Sequence, residues 1–122
     1  MTSIAFAVPV KPGKTKEARE FIEELLGARR DEFDKNRRQR GTQRITVFHQ
    51  PWPAEQFIVY MESDDHHKAM RDHDPADEFE AWFVKRYEDV TGVSPDKLSP
   101  SVSEVVLDWH REKGGSKTHL TT

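Results

Sequence analysis

Residues 3–10 read SIAFAVPV and are followed at residues 11–14 by KPGK. Every second residue from Ile4 to Val10 is large and apolar, and the residues between them are Ala or Pro, a period-two pattern typical of a strand with two apolar faces. The prolines and Gly13 then predict a turn, because proline lacks a backbone donor and glycine accepts unusual backbone angles. The chain is therefore expected to open with a strand that turns into the next element at Gly13.

A helix is predicted directly after this turn. Thr15 is a suitable N-cap and Gly41 a suitable C-cap, which together indicate one long helix with Gly27 as its weak point. The apolar residues in between recur at helical spacing; they are Ala18, Phe21, Ile22, Leu25, Leu26 and Phe33.

Residues 43–49 and 55–62 again alternate with period two, and the proline-rich stretch 50–54 separates them. This pattern predicts an antiparallel hairpin. A short helix is expected next, capped by Ser63 and running to about His73.

A second long helix is predicted with Asp74 as N-cap, Pro75 at its first position and Gly92 at its end. A loop rich in Ser and Pro leads to a last strand over residues 105–109. Residues 111–122 are polar and glycine-containing, so they are interpreted as a flexible C-terminal tail behind a single domain of residues 1–110.

The element order strand, helix, strand, strand, helix, strand predicts an α+β fold of the ferredoxin-like, split βαββαβ type. Two helices would then cover one face of a four-stranded antiparallel sheet. The face expected to meet the helices carries Phe6, Val8, Ile45, Val47, Phe57, Val59, Val105 and Leu107. The opposite face is also apolar, with Ala5, Ala7, Phe48, Ile58, Tyr60 and Val106. We expect this second face to be covered by a homodimer that forms sheet to sheet.

The composition excludes several kinds of function. The 122 residues include 19 Lys plus Arg, 22 Asp plus Glu and no Cys, for a net charge of -3. A nucleic-acid partner is not expected, because phosphate binding needs a basic excess, and thiolate metal sites and cysteine nucleophiles cannot form. The sequence has no apolar run long enough for a membrane span and no recognisable leader, so we expect no membrane partner and a cytoplasmic location.

Three motifs carry a resemblance to a known family. They are VPVKPGK at residues 8–14 leading into a helix, FIVYMES at residues 57–63, and His73-Asp74-Pro75 followed by Phe79. Over residues 3–109 the chain resembles the dimeric α/β-barrel superfamily, whose best-known branch is the antibiotic biosynthesis monooxygenases. The resemblance implies a dimeric α/β barrel, and it leaves several activities open because the superfamily also holds haem-degrading enzymes, dehydratases, lactone-handling enzymes and stress-induced proteins. Members that oxidise haem or polyketide quinols commonly place an Asn in the cleft, whereas the only Asn here, Asn36, is predicted near the exposed end of the first helix.

His49 and His73 are the candidate catalytic residues. His49 ends the second strand on the side expected to face the helices, where an imidazole with a pKa of ~6.5 would suit a general base. Its alternative role is a hydrogen bond to the turn of residues 50–53.

His66, His67 and His73 form a cluster with three possible roles. A metal site would need Asp72 or Asp74 as a further ligand, but the spacing is not that of a paired-histidine motif, so no metal is predicted. A histidine at the mouth of a pocket is the second role, with His73 preferred as proton donor or acceptor and His66 as a substrate contact. Solvated surface is the third.

Trp82, Phe83 and Trp109 are expected between the helices and the sheet, where aromatic walls would bind a planar ligand. The alternative is that they are core residues.

These features favour a small-molecule-binding dimer. It would be a monooxygenase-like enzyme that acts without a cofactor on an aromatic or quinol-type substrate, or alternatively a non-catalytic ligand-binding or stress-responsive homodimer. Haem binding through a histidine on a helix is a third hypothesis.

Overall fold

The computed structural model describes residues 2–111 and has an α+β fold. The strands are β1 (Thr2–Pro9), β2 (Thr42–Gln50) and β3 (Gln56–Ser63). The helices are α1 (Thr15–Leu26), α2 (Arg30–Gln39), α3 (His66–Ala69) and α4 (Glu78–Thr91), followed by a 3-10 turn (Pro95–Lys97). Within this part of the chain no helix has the length and apolar character needed to cross a bilayer. The predicted tail of residues 111–122 lies, apart from Arg111, outside the described residues.

The sheet is antiparallel with the strand order β1-β3-β2, so β3 is paired on both sides. Side chains alternate strictly in β1 and β3, and one set is buried against the helices. That set comprises Ile4, Phe6, Val8, Phe57, Val59 and Met61. It packs with Ala18, Phe21 and Leu25 of α1 and with Phe79 and Val90 of α4. The predicted hairpin and the predicted helix-facing side of β1 and β3 are confirmed.

The prediction of a fourth strand over residues 105–109 is wrong. This segment is irregular, and Val105, Val106, Leu107 and Trp109 are 51, 75, 78 and 64% exposed. Two turns precede this segment. The first is the 3-10 turn Pro95–Lys97, and in the second the Val102 backbone N–H donates to the Ser99 carbonyl. An alternating pattern shows that a segment suits a strand, but it does not bring that segment to a sheet edge. The three strands are compatible with a ferredoxin-like fold.

The single long helix predicted from Thr15 to Gly41 is two helices. The helix is interrupted at Gly27, where the backbone N–H groups of both Gly27 and Arg29 donate to the Glu24 carbonyl. Glycine is a poor helix former, which explains why the interruption falls there. The C-cap of α2 is Arg40, and Gly41, the predicted C-cap, follows it with a φ of +73°.

The connection between β3 and α4 also differs from the prediction. The helix α3 begins after Asp65, not Ser63, and ends at Ala69. The N-cap of α4 is Asp77, whose side chain accepts from the Glu80 backbone N–H, and not Asp74. Asp74 is engaged elsewhere, because its side chain accepts from the Ala76 N–H and so forms a local turn.

Candidate functional site

A cavity of about 390 Å³ lies between the sheet and the helices. Its walls are mainly apolar and come from all three strands and from α1, α2 and α4. Polar residues also line it, namely Arg37, Arg40, Thr46, Arg71, His73, Tyr87 and Thr91. A cavity of this size that combines apolar walls with a few polar groups is typical of a small-molecule site.

His73 lies in the segment between α3 and α4 and is held in place by Asp96. Its Nδ1 is 2.6 Å from Asp96 Oδ1, and its backbone N–H donates to the same oxygen at 3.0 Å. Asp96 lies in the 3-10 turn, where its own N–H donates to Ser94 Oγ. The His73 ring stacks on Phe83 with an 18° angle between the planes. The ring orientation is therefore fixed from two sides.

The second ring nitrogen of His73, Nε2, is buried and has no hydrogen-bond partner among the described residues. A carboxylate on Nδ1 favours the tautomer with its proton on that nitrogen, which makes Nε2 an acceptor. Burial lowers the pKa of His73, outweighing the Asp96 hydrogen bond that raises it, and the charge of Arg40 lowers it further. The imidazole is therefore neutral near pH 7 and offers one free acceptor.

Tyr87 provides a second buried group without a partner. Its hydroxyl makes no hydrogen bond among the described residues, and burial raises its pKa, so the group keeps its proton. The Nε of Arg40 is buried and unpartnered in the same way. Buried polar atoms are normally satisfied, so three unsatisfied groups on residues around one cavity indicate a polar ligand.

Glu80 joins α2 and α4 through a buried polar cluster. Its carboxylate accepts from Arg40 at 3.2 Å, from Arg71 at 3.1 Å and from the Asp74 backbone N–H at 2.7 Å. Burial alone would raise the pKa of Glu80, but these hydrogen bonds, that of Asn36 and the charge of Arg40 hold it at about 2. Glu80 is thus charged and fully engaged, so it acts as a structural group.

Asn36 does not lie where the sequence predicted. It is 5% exposed, and its amide donates to Glu80 instead of facing solvent at a helix end. The prediction failed because the interruption at Gly27 makes α2 a separate helix, and its Asn36 side chain reaches Glu80 of α4.

His49 is separate from the cavity. Its Nδ1 accepts from Arg19 Nε at 3.2 Å, and its Nε2 lies 2.8 Å from Glu55. Hydrogen bonds from Thr15 and His49 lower the pKa of Glu55. Both ring nitrogens of His49 are thus occupied, and the structure does not bring it together with His73.

Of the predicted substrate contacts, Phe83 lines the cavity beside His73. Trp82 is not among the residues that line the cavity; it packs against the core, with its ring 5.6 Å from Phe21 and the Arg29 guanidinium 4.2 Å from the ring centre. His66 bonds to Ser63 Oγ and to the Ser3 carbonyl, both at 3.2 Å. Trp109 was expected between helix and sheet, but it lies in the exposed segment. No group of three His, Asp or Glu side chains in residues 2–111 is arranged to hold a metal ion.

Comparisons with family models, with curated proteins and with solved structures find no match to this chain. The case for a function therefore depends on the geometry of the cavity and on the motifs in the sequence.

Sequence reasoning missed Asp96, Arg37, Arg40, Glu80 and Tyr87. Asp96 is 23 residues from His73, and only the fold brings the two together. The Ser94-Pro95-Asp96 sequence does suggest a capped turn, which is the one local signal for Asp96.

Proposed function

We propose that this chain binds a small, flat, largely apolar molecule with a weakly acidic hydroxyl, and that His73 removes the proton from that hydroxyl. The observation that carries the proposal is the Asp96–His73 pair, which leaves a neutral, unpartnered Nε2 at a buried position beside an apolar cavity. A general base needs this state, since only the neutral ring can accept a proton.

Asp96 has two roles in this proposal. It fixes the imidazole tautomer through Nδ1, and it stabilises the imidazolium that forms when Nε2 takes up the proton. The Tyr87 hydroxyl keeps its proton and can donate to the oxygen that becomes negative. Apolar walls such as Phe83 and Phe57 exclude water from the resulting anion.

The resemblance to antibiotic biosynthesis monooxygenases extends the proposal to a reaction. A quinol anion formed at His73 would give one electron to dioxygen, so that the substrate is oxidised to a semiquinone and dioxygen is reduced to superoxide. The two radicals can then combine to form a C–O bond at the substrate carbon, and the resulting peroxide takes back the proton from His73 and loses water to leave a carbonyl product.

Oxygen uptake with 1,4-dihydroxynaphthalene as probe tests this function. We expect the protein-dependent rate to fall about 100-fold or more in His73→Gln, in line with the usual contribution of a general base. Asp96→Asn should also slow the reaction, because the tautomer is no longer fixed. The rate should fall in acid, when His73 gains a proton. Because burial lowers the pKa of His73, the midpoint of this fall should lie below the ordinary imidazole pKa.

The matched control is His67→Gln, because His67 is exposed and outside the cavity. An unchanged rate in His73→Gln would remove the assignment of the base. Saturable binding of the probe without any oxygen uptake would favour the non-catalytic alternative.

We also propose that two copies pair through the outer sheet face, as in a dimeric α/β barrel. Ala7, Ile58 and Phe48 lie in one row across this face, and Phe48 is 57% exposed. Ala5, Tyr60 and Thr46 form the next row. In aqueous solution, a contiguous and mainly apolar surface of this kind is usually covered by another protein surface. The same patch on a second copy can cover it with two-fold symmetry.

A further inference from the structure

We infer that the ligand of the cavity is an acid whose carboxylate binds to Arg37, and that the substrate class is an aromatic hydroxy acid. This inference rests on the proposed function, because it names the ligand class of the same cavity.

Arg37 lies on α2 and lines the cavity. Its Nε and Nη2 both donate to Asn36 Oδ1, at 3.2 and 2.6 Å, and Nη1 donates no hydrogen bond within the described residues. Arg40 and Arg71 are both paired with Glu80, whereas Arg37 has no carboxylate within salt-bridge distance in residues 2–111. Arg37 is thus a cation of the cavity with one guanidinium nitrogen available.

The charge balance around Arg37 favours an anion. Arg40 and Arg71 both donate to one buried carboxylate, Glu80, whose oxygens also accept from Asn36 and from the Asp74 backbone N–H, whereas Arg37 makes no contact with it. Burial lowers the pKa of Arg37 to about 9, and the charge of Arg40 acts in the same direction, yet the group stays charged near pH 7. Charges shielded from water are normally paired, so a monoanionic ligand would give Arg37 the carboxylate partner that it lacks among the described residues.

The position of Phe83 connects this anion site to the base. The Arg37 guanidinium lies 5.8 Å from the centre of the Phe83 ring, and the His73 ring stacks on the same phenyl group at 5.3 Å. Phe33 holds the guanidinium from another direction at 5.6 Å. Arg37 and His73 thus both lie beside Phe83, so a flat ligand that spans the distance between them would place its carboxylate at Arg37 and its hydroxyl at His73.

Calorimetric titration with 2-naphthoate and with the neutral 2-naphthylmethanol tests the inference. We expect 2-naphthoate to bind at least about tenfold more tightly, the ratio that one charge-assisted hydrogen bond supplies. Arg37→Met should weaken 2-naphthoate binding by about the same factor and leave 2-naphthylmethanol unaffected, which also shows that the variant is folded. The matched control is Arg38→Met, since the neighbouring Arg38 is exposed and pairs with Asp34.

Equal affinities of the wild-type protein for both probes would overturn the inference and leave the proton-abstraction proposal standing. If neither probe binds, the inference is overturned, and the oxygen uptake with 1,4-dihydroxynaphthalene decides the proton-abstraction proposal separately. Should Arg37→Met fail to fold, the salt dependence of the wild-type protein decides: the inference requires salt to weaken 2-naphthoate binding, and it is overturned if both probes respond alike.

Discussion

Glu80 is the residue on which the buried polar groups converge. Its carboxylate binds Asn36 of the helix α2, Arg40 directly after this helix, and Arg71 from the segment before α4. The cavity wall and the entry into α4 therefore depend on one charge. Arg40 is itself 1% exposed, so it has no water to replace this partner.

Glu80→Gln is expected to lower the free energy of unfolding by about 3–5 kcal/mol, because it leaves the buried Arg40 cation unpaired. Urea unfolding followed by circular dichroism measures this loss. Glu78→Gln is the control, since the side chain of Glu78 is 75% exposed and its ion pair with Arg29 should contribute less than about 1 kcal/mol. Equal losses in the two variants would show that the Glu80 cluster does not stabilise the fold.

Gly92 ends the helix α4 in the left-handed conformation, with a φ of +76°. A Cβ at this position would also come within 3.4 Å of the Lys11 side chain. The Lys11 backbone N–H donates to the Val90 carbonyl beside it, so the end of α4 is tied to the chain that follows β1.

Gly92→Ala should therefore cost about 1–2 kcal/mol of stability, the usual penalty for a Cβ in the left-handed region. Gly92→Asn should cost less, because Asn tolerates that region better than other residues. Thermal unfolding of both variants gives the comparison. Identical midpoints for Ala and Asn would mean that backbone conformation does not set the cost.

Local patterns predicted the elements that local physics determines. The alternation of β1 and the hairpin follows from side chains that face opposite sides of a strand, and Gly41 and Gly92 end helices because of their own conformational freedom. The capping role of Asp77 instead of Asp74 was not predictable in this way, because both residues suit an N-cap and the choice depends on Glu80. In the same way, the alternating pattern of residues 105–109 did not determine whether this segment joins the sheet.

The candidate site likewise contains residues that the local sequence indicates and residues that only the fold brings to the site. Its sequence-local members, His73 and Phe83, were identified from residue type and spacing. Asp96 and Arg37 gain their roles from contacts between distant parts of the chain, which one sequence without a fold does not contain.

The proposed dimer predicts the oligomeric state of the chain in solution. Sedimentation at micromolar concentration should show the wild-type chain as a dimer, and Phe48→Glu as a monomer, since a charge would be buried in the proposed interface. Trp52→Glu is the control, because Trp52 is 79% exposed in the loop between β2 and β3. A wild-type monomer at this concentration would rule out the sheet-to-sheet pairing.

The strand order β1-β3-β2 determines how solvent reaches the backbone. Because β3 has a neighbour on each side, its amides all point at another strand, whereas every second amide of β1 and β2 points outward. Deuterium from the solvent would therefore enter the outer strands at alternate positions first and β3 last. The middle of the sheet is in this sense the part of the molecule that opens only when the whole domain does.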